Sequence, residues 1–524
     1  MKPPCDEAAI RSATAAAPCR PQSGPWILAS TILGTSMAFI DGTVVNVALP
    51  ALQATFKATV IDVQWVVESY GLFLGALILV GGAAGDLFGR RRIFLSGVTL
   101  FALASAACGL SQDIHQLIAA RAVQGLGAAL LTPGSLAIIS ASFAAEARGR
   151  AIGTWSGFSA ITSALGPVLG GWLIQHASWR WIFFINLPIA AAVILISLWH
   201  VPESRGTKAK RLDVPGALLA TIGLGSLIYG LIESPQLGWG HHRVVASLAL
   251  AVLCLFAFPF VEAHSSSAMV PLDLFRSRTF TGANLLTLFL YAALGIFFFV
   301  FPMNLIQVQG YSATKTGAAI LPAILLMFSL SRWSGGLVAR YGAKLPLVVG
   351  PMIAATGFAL LVIPKIGGSY WTAFFPAFVV LGLGMSISVA PLTTVVMGAV
   401  EQDFAGAASG INNAVARIAG LLAIAVFGIV MVMAFSVRLD HELASVNIPP
   451  SVRNQLLSNR TRLAAVEVPQ ELDPQQAAQV KTVVADSFIY AFRLIAWCCA
   501  ALALASAVTA VLTIEGEPVN RQKA

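Results

Sequence analysis

Charge is scarce in this chain. Only 10% of its 524 residues are Asp, Glu, Lys or Arg, and 57% are hydrophobic. A soluble domain carries about a quarter charged residues. With a mean hydropathy of +0.81, the chain has too little polar surface to fold in water. Cysteine is also sparse. Six residues fall at 5, 19, 108, 254, 498 and 499, with no metal-ligand spacing and none in a segment expected to lie outside, which excludes a disulfide framework. His115, His176, His241, His242 and His264 sit near loops without forming a ligand cluster, so no metal is expected. No GxxxxGK[ST] phosphate loop appears, and the polar segments are too short for a nucleotide domain, which argues against ATP-driven work within this chain. Long alternating strands, the mark of a membrane barrel, are missing. The first 25 residues lack a short apolar core with a cleavage site and read as a flexible tail, not a signal peptide.

What the chain has is long apolar runs. They cover roughly 26–50, 62–82, 93–110, 115–140, 150–173, 180–200, 213–233, 243–262, 279–304, 315–338, 345–363, 371–396, 406–434 and 485–513. Many approach the roughly 20 residues that a helix needs to cross a bilayer core. The expected fold is therefore an all-α polytopic membrane protein with 14 transmembrane helices. An even number puts both termini on one side, and basic residues choose the cytoplasm. With the N-terminus inside, the inner loops and tails hold eighteen bases: Arg90, Arg91, Arg92, Arg148, Arg150, Arg205, Lys208, Lys210, Arg211, Arg276, Arg278, Arg340, Lys344, Lys2, Arg11, Arg20, Arg521 and Lys523. The short outer loops hold five, Lys57, Arg180, Arg243, Lys315 and Lys365. That bias follows the positive-inside rule. Because the bases of the +9 net charge lie in short loops between spans, no nucleic-acid partner is expected. Residues 435–484 read as one long, polar, external loop.

Two turns echo each other. "GDLFGRRR" (85–92) and "VARYGAKL" (338–345) align Gly89 with Gly342 and Arg91 with Lys344, an offset of 253. Six spans precede residue 205 and six follow 275, with two between. The expected organisation is a cytoplasmic tail at 1–25, an N-terminal six-helix bundle at 26–200, a linker with two extra helices at 201–275, a C-terminal six-helix bundle at 276–513 and a tail at 514–524. Parallel six-span halves are a transporter architecture, with the substrate path between them.

Three segments carry more than hydropathy. In "GGAAGDLFGRRRIFLSG" (81–97), Gly85 and Gly89 let helix ends approach closely. Asp86 can accept from backbone N–H groups or from Arg90 or Arg91, giving either a gating latch or simply a tight turn that fixes topology. In "LIAARAVQGLGAALLTPGS" (117–135), Arg121 and Gln124 are three apart and share a helix face. An arginine there faces a partner or a wet cavity, or snorkels to the interface. In "SALGPVLGGWL" (163–173), Gly166, Pro167, Gly170 and Gly171 make a thin, kinked helix, suited to a moving interface or to a crowded static one.

These residues resemble the major facilitator superfamily, and specifically its fourteen-span drug:proton antiporter branch. "GDLFGRRR" resembles the superfamily's loop motif. Arg121 to Gly127 resembles its fourth-span motif linked to proton transfer. Gly166 to Gly171 resembles the fifth-span antiporter motif, typical of exporters. "FIDGTVVNVALP" (39–50) and "WRWIFFINLP" (179–188) resemble the branch's first span and sixth-span entry, and "GAASGINNAVARIAG" (406–420) resembles its thirteenth span. Gly85 and Leu87 stand where Ala and Arg are more usual, and Ala339 replaces the acid in the second-half echo. The resemblance implies a major facilitator fold and proton-coupled export by alternating access.

The buried charges are candidates for that work. At about 1.5 Å per residue, with Pro50 as the outer exit of the first span, Asp41 lies about 13 Å below the outer end and Glu68 and Arg121 about 9 Å. Asp41, Glu68, Arg121 and Gln124 are expected to bind protons or substrate, with Asp41 alternatively only ordering the bundle and Glu68, nearer the interface, equally open to that structural role. Asn304, Asn412, Asn413 and Arg417 are candidates to line a cavity, Arg417 alternatively holding a structural carbonyl. Phe297, Phe298, Phe299 and Phe301 on the ninth span face lipid or neighbouring spans, with one or two available to a drug. The expected activity is export of drugs or other lipophilic small molecules, cations among the candidates, with no cofactor beyond the proton gradient. A metabolite or siderophore-like exporter and a non-transporting sensor are the alternatives. The expected partners are the substrate, protons and the lipid bilayer of the cytoplasmic membrane, and in a Gram-negative envelope a periplasmic adaptor with an outer-membrane channel.

Overall fold

A bilayer core offers no water to backbone amides, so long apolar runs must close their hydrogen bonds internally. The computed structural model describes residues 23–143, 145–206, 212–265, 268–401, 404–467, 469 and 471–515. The bases expected at 2, 11, 20, 208, 210, 211, 521 and 523 lie outside these. The helices are α1 (Gly24–Phe56), α2 (Val60–Phe88), α3 (Arg90–Leu110), α4 (Ile114–Ser142), α5 (Ala145–His176), α6 (Trp181–His200), α7 (Val214–Leu237) and α8 (His242–His264). Then come α9 (Arg278–Val308), α10 in three pieces (Ala313–Ala319, Leu321–Gly335 and Leu337–Tyr341), α11 (Lys344–Leu360), α12 (Phe375–Gly398), α13 (Ala405–Leu443), the short α14 (Pro450–Ser458) and α15 (Pro474–Thr513). Among the described residues, 13 helices are long and apolar enough to cross a membrane. The 17-residue α11 is the shorter fourteenth. The fold is all-α and polytopic.

Capping residues set several starts. Asp113 accepts from Gln116 N at 2.9 Å, Ser277 from Phe280 N at 3.2 Å and Asp473 from Gln476 N at 2.7 Å. Each satisfies an amide that the first helical turn leaves open.

Two boundaries differ from the sequence reading. Pro50 does not end the first helix, because α1 runs through it to Phe56. Proline costs the helix one donor, and a bundle can absorb that loss. The polar stretch 435–484 is not a loop throughout. Helix α13 continues to Leu443 and α15 starts at Pro474, with α14 and a 3-10 turn at Arg460–Ala465 between them. Hydropathy marks where apolarity ends, and a helix can continue beyond that point.

The chain divides into two compact units. Unit 1 comprises residues 1–45, 66–225 and 251–272, and unit 2 comprises 46–65, 226–250 and 273–524. In unit 1, α3 and α4 approach so closely that a Cβ on Gly97 would meet Leu131 N at 2.7 Å, and one on Gly127 would meet Phe101 N at 2.6 Å. Unit 2 repeats the device at the same offset of 253. A Cβ on Gly350 would meet Gly384 O of α12 at 3.0 Å. The turns repeat as well, Gly89 holding φ +113° and Gly342 φ +77°, a region that glycine enters without a Cβ penalty. The α9 phenylalanines pack mainly inward. Phe297, Phe299 and Phe301 are buried, with Phe297 and Phe301 stacked at 5.0 Å against Phe358, Phe374 and Phe378. Lipid-facing apolar surface lies instead on α8, where Val252, Leu253, Phe256 and Phe260 are exposed.

Gly97→Leu should overpack the α3–α4 contact by about 1–3 kcal/mol. We expect a lower melting temperature for the detergent-purified protein. An unchanged melting curve would mean that this close approach contributes nothing.

Candidate functional site

Asp41, Arg121 and Gln124 meet inside unit 1. Asp41 on α1 and Gln124 on α4 are fully buried, and Arg121 is 1% exposed. The Arg121 Nη1 group forms an ion pair with Asp41 Oδ2 and donates to Gln124 Oε1 at 2.7 Å. Gln124 Nε2 donates to Asp41 Oδ1 at 2.8 Å. The i, i+3 spacing puts both α4 side chains on one face, and together they occupy both carboxylate oxygens. Arg121 also donates from Nε to Val66 O at 3.2 Å, and its Cζ lies 4.1 Å from the centre of the Tyr70 ring. The guanidinium is therefore paired and stacked, not snorkelling.

Glycines make room for this cluster. A Cβ on Gly125 would collide with Tyr70 O, so α4 can sit directly against α2. On α5, a Cβ on Gly166 would collide with Thr43 Oγ1 and one on Gly170 with Val44. The thin face predicted for α5 thus lies on α1 within one turn of Asp41. Pro167 sits between these contacts, and Gly171 is buried beside them.

Glu68 on α2 is fully buried but takes no part in the ion pair. Both its carboxyl oxygens are buried without a hydrogen-bond partner among the described residues. Asp41 and Glu68, the two acids of unit 1 with no exposure at all, are thus in opposite situations, one fully engaged and one without a hydrogen-bond partner among the described residues.

At the α2–α3 turn, Asp86 Oδ1 pairs with Arg90 at 2.8 Å. Gly85 O accepts from Gly89 N at 3.0 Å. Sequence reasoning missed the acid that anchors this turn. Glu203, after α6, accepts from Arg91 N at 3.1 Å and Arg92 N at 3.2 Å, the first amides of α3, and lies near the Arg91 and Arg92 side chains. The 201–206 segment docks through Arg90 N to Ser204 O at 2.8 Å, Gly206 N to Asp86 O at 3.0 Å and Arg91 Nη1 to Val201 O at 3.0 Å. A carboxylate at a helix N-terminus is favoured by both open amides and dipole. No local sequence pattern announces the pairing, because Glu203 is more than a hundred residues from Arg91.

The candidates in unit 2 do not form one cluster. Asn412 donates to Asn284 Oδ1 at 3.1 Å and Thr287 Oγ1 at 2.7 Å, tying α13 to α9. Asn413 is exposed and donates back to Ser409 O at 2.9 Å. Arg417 is half-buried, within electrostatic reach of Tyr291. Asn304 is buried at the head of a π-helical turn (Asn304–Val308), its Oδ1 without a hydrogen-bond partner among the described residues.

The Major Facilitator Superfamily profile matches residues 31–424. The chain belongs to this superfamily. As a superfamily member it is a membrane transporter. It is 37% identical over 443 residues to the "Multidrug resistance protein Stp" of Mycobacterium tuberculosis (strain CDC 1551 / Oshkosh), covering 82% of this chain and 80% of that one. It is 33% identical over 503 residues to the "Tetracenomycin C resistance and export protein" of Streptomyces glaucescens, covering 95% and 93%. Among solved structures, a bacterial homolog of the human lysosomal transporter Spinster matches with a TM-score of 0.63 at 18% identity, over 94% of this chain and 99% of that one. That likeness supports the fold alone.

Replacing Asp41 by Asn should strand the Arg121 cation, at a cost of about 3 kcal/mol or more for a buried pair that loses one partner. Melting of the purified variant should fall well below that of the native protein, and Asp41→Asn combined with Arg121→Gln should recover part of the loss. Additive losses in the double variant would contradict the pairing. Glu203→Gln should also lower the melting temperature, by less than Asp41→Asn, since a neutral amide oxygen still accepts one amide. A larger loss than Asp41→Asn would reverse that ranking.

Proposed function

We propose that this superfamily transporter exports drug-like small molecules from the cytoplasm in exchange for protons, as a member of the fourteen-span drug:proton antiporter branch. The observation that carries the reading is the contrast between Asp41 and Glu68, the two acids of unit 1 with no exposure at all. Asp41 keeps its charge balanced by Arg121, with Gln124 on the second oxygen. Glu68 is buried without a hydrogen-bond partner among the described residues, and an isolated carboxylate there is costly unless it carries a proton. We assign the transported proton to Glu68. Asp41 and Arg121 form a separate, fixed ion pair within the same unit. A cationic substrate approaching Glu68 favours its charged form and releases the proton, and reprotonation releases the substrate. One carboxyl cannot serve both ligands at once, and that exclusion is the exchange.

Export is supported by the thin α5 face resting on α1 beside Asp41, in the motif that resembles the exporters' fifth span. It is supported also by the names of both relatives. One is named for resistance to many drugs and the other for export of a single compound. A single-compound exporter is therefore the second reading. The positive-inside charge bias supports a cytoplasmic membrane location with both termini inside. The α2–α3 turn, with Gly85, Asp86, Gly89, Arg90 and Arg91 clamped by Glu203, is proposed as the cytoplasmic gate. Gly166, Pro167, Gly170 and Gly171 are proposed as the moving interface. Asn304, Asn412, Asn413 and Arg417 are proposed as the unit 2 contribution to the path. An adaptor and outer-membrane channel would be further partners only in a two-membrane envelope.

The test is transport in proteoliposomes with lipophilic cations, neutral drugs and organic anions, with and without an imposed pH gradient. The native protein should concentrate at least one class against its gradient when the pH gradient is present. Glu68→Gln should retain saturable counterflow and lose the response to pH. Uphill accumulation persisting in Glu68→Gln would remove the proton from that residue. Uptake of one compound only would favour the single-compound reading.

A further inference from the structure

Unit 2 carries a cavity of 410 Å³ that the transport reading does not use. It is lined by Lys365 after α11, Arg438 on α13, and Asp486, Tyr490 and Arg493 on α15. Three bases face one acid, in a chain where charge is rare. Arg438 is partly balanced by Glu442 at 2.6 Å, and its Cζ lies 5.6 Å from the centre of the Tyr490 ring. Arg493 donates from Nη2 to Pro364 O at 3.2 Å, and its Nε is buried with no hydrogen-bond partner among the described residues. Even with Glu442 counted, the site keeps a net positive charge and one buried donor to spare.

The surface beside the cavity is apolar and exposed. On α15, Tyr490, Leu494 and Trp497 follow at i, i+4 and i+7, so they share one face, and the exposed stripe continues through Leu504 and Val508. On α13, Met433 and Val437 are exposed directly before Arg438. Exposed aliphatic surface ending in a Tyr, a Trp and a set of bases is the pattern of a helix surface crossing from acyl chains to headgroups. Basic pockets between membrane helices attract anionic lipid headgroups.

We propose that this cavity binds the phosphodiester of an anionic phospholipid, whose acyl chains lie along the α13 and α15 stripes. Lys365 and Arg493 hold the phosphate oxygens, Arg438 reinforces the field, and Asp486 limits the affinity. A soluble phosphate offers the same charge, but it would gain nothing from the exposed stripes.

The experiment uses the full chain in phosphatidylcholine membranes with spin-labelled phosphatidylglycerol or spin-labelled phosphatidylcholine, reading the motionally restricted fraction of each. The native protein should prefer phosphatidylglycerol. Lys365→Gln with Arg493→Gln should reduce the preference by about fivefold per base removed, Lys315→Gln should leave it unchanged, and Asp486→Asn should increase it. Equal preference in the native and double-variant proteins overturns the proposal. If the double variant does not fold, Asp486→Asn decides, and an unchanged preference there overturns it as well. Loss of the preference in millimolar inorganic phosphate, at matched ionic strength, would make this a soluble-anion site and overturn the lipid assignment.

Discussion

The pairing of Asp41 with Arg121 is the constraint around which unit 1 is arranged. A guanidinium buried among membrane helices must find a counterion and spend its remaining donors. Arg121 does so on Asp41, Gln124 and the Val66 carbonyl, drawing on α1, α2 and α4 together. Small residues follow from the closeness this demands. Gly125 lets α4 meet Tyr70 of α2, and Gly166 and Gly170 let α5 meet α1 just past Asp41. The motifs that look separate along the chain thus describe one packed neighbourhood. They hold a fixed ion pair, while a second buried acid of the same unit, Glu68, has no hydrogen-bond partner among the described residues.

This division explains how two buried carboxyls can have different tasks. An acid locked by two donors orders the helices and fixes the local field. In the proposed mechanism Glu68, without a hydrogen-bond partner among the described residues, is the acid whose charge state changes with a proton or a cation. At the other end of α2, Glu203 clamps the amides of Arg91 and Arg92. The α2 helix therefore links the unpartnered acid to the turn proposed as the gate.

Much of this was legible in the sequence because hydropathy and helical period are local. The fourteen apolar segments could be read directly, as could the shared face of Arg121 and Gln124. Helix rise put Asp41, Glu68 and Arg121 in one layer, with the first helix ending near Pro50; the structure pairs Asp41 with Arg121 and leaves Glu68 out of that pair. The helix runs six residues beyond Pro50, and a helix end is not a membrane surface. The repeat was visible as Gly89 and Gly342 and is matched by their positive φ and by the paired glycines 97 and 350. What was not legible depends on contacts across long separations or on helices continuing into polar sequence. Glu203 is such a case, and so are the helical ends of 435–484. The inward packing of Phe297 and Phe301 required knowing where Phe358 and Phe378 would lie.

The central claim is that Glu68, not Asp41, is the carboxyl that gains and loses the proton. Infrared difference spectroscopy across a pH step reads the protonated-carboxyl stretch directly in the purified protein. The account predicts a titrating carboxyl band that is present in the native protein and in Asp41→Asn and absent in Glu68→Gln. A band that survives Glu68→Gln and vanishes in Asp41→Asn would contradict it.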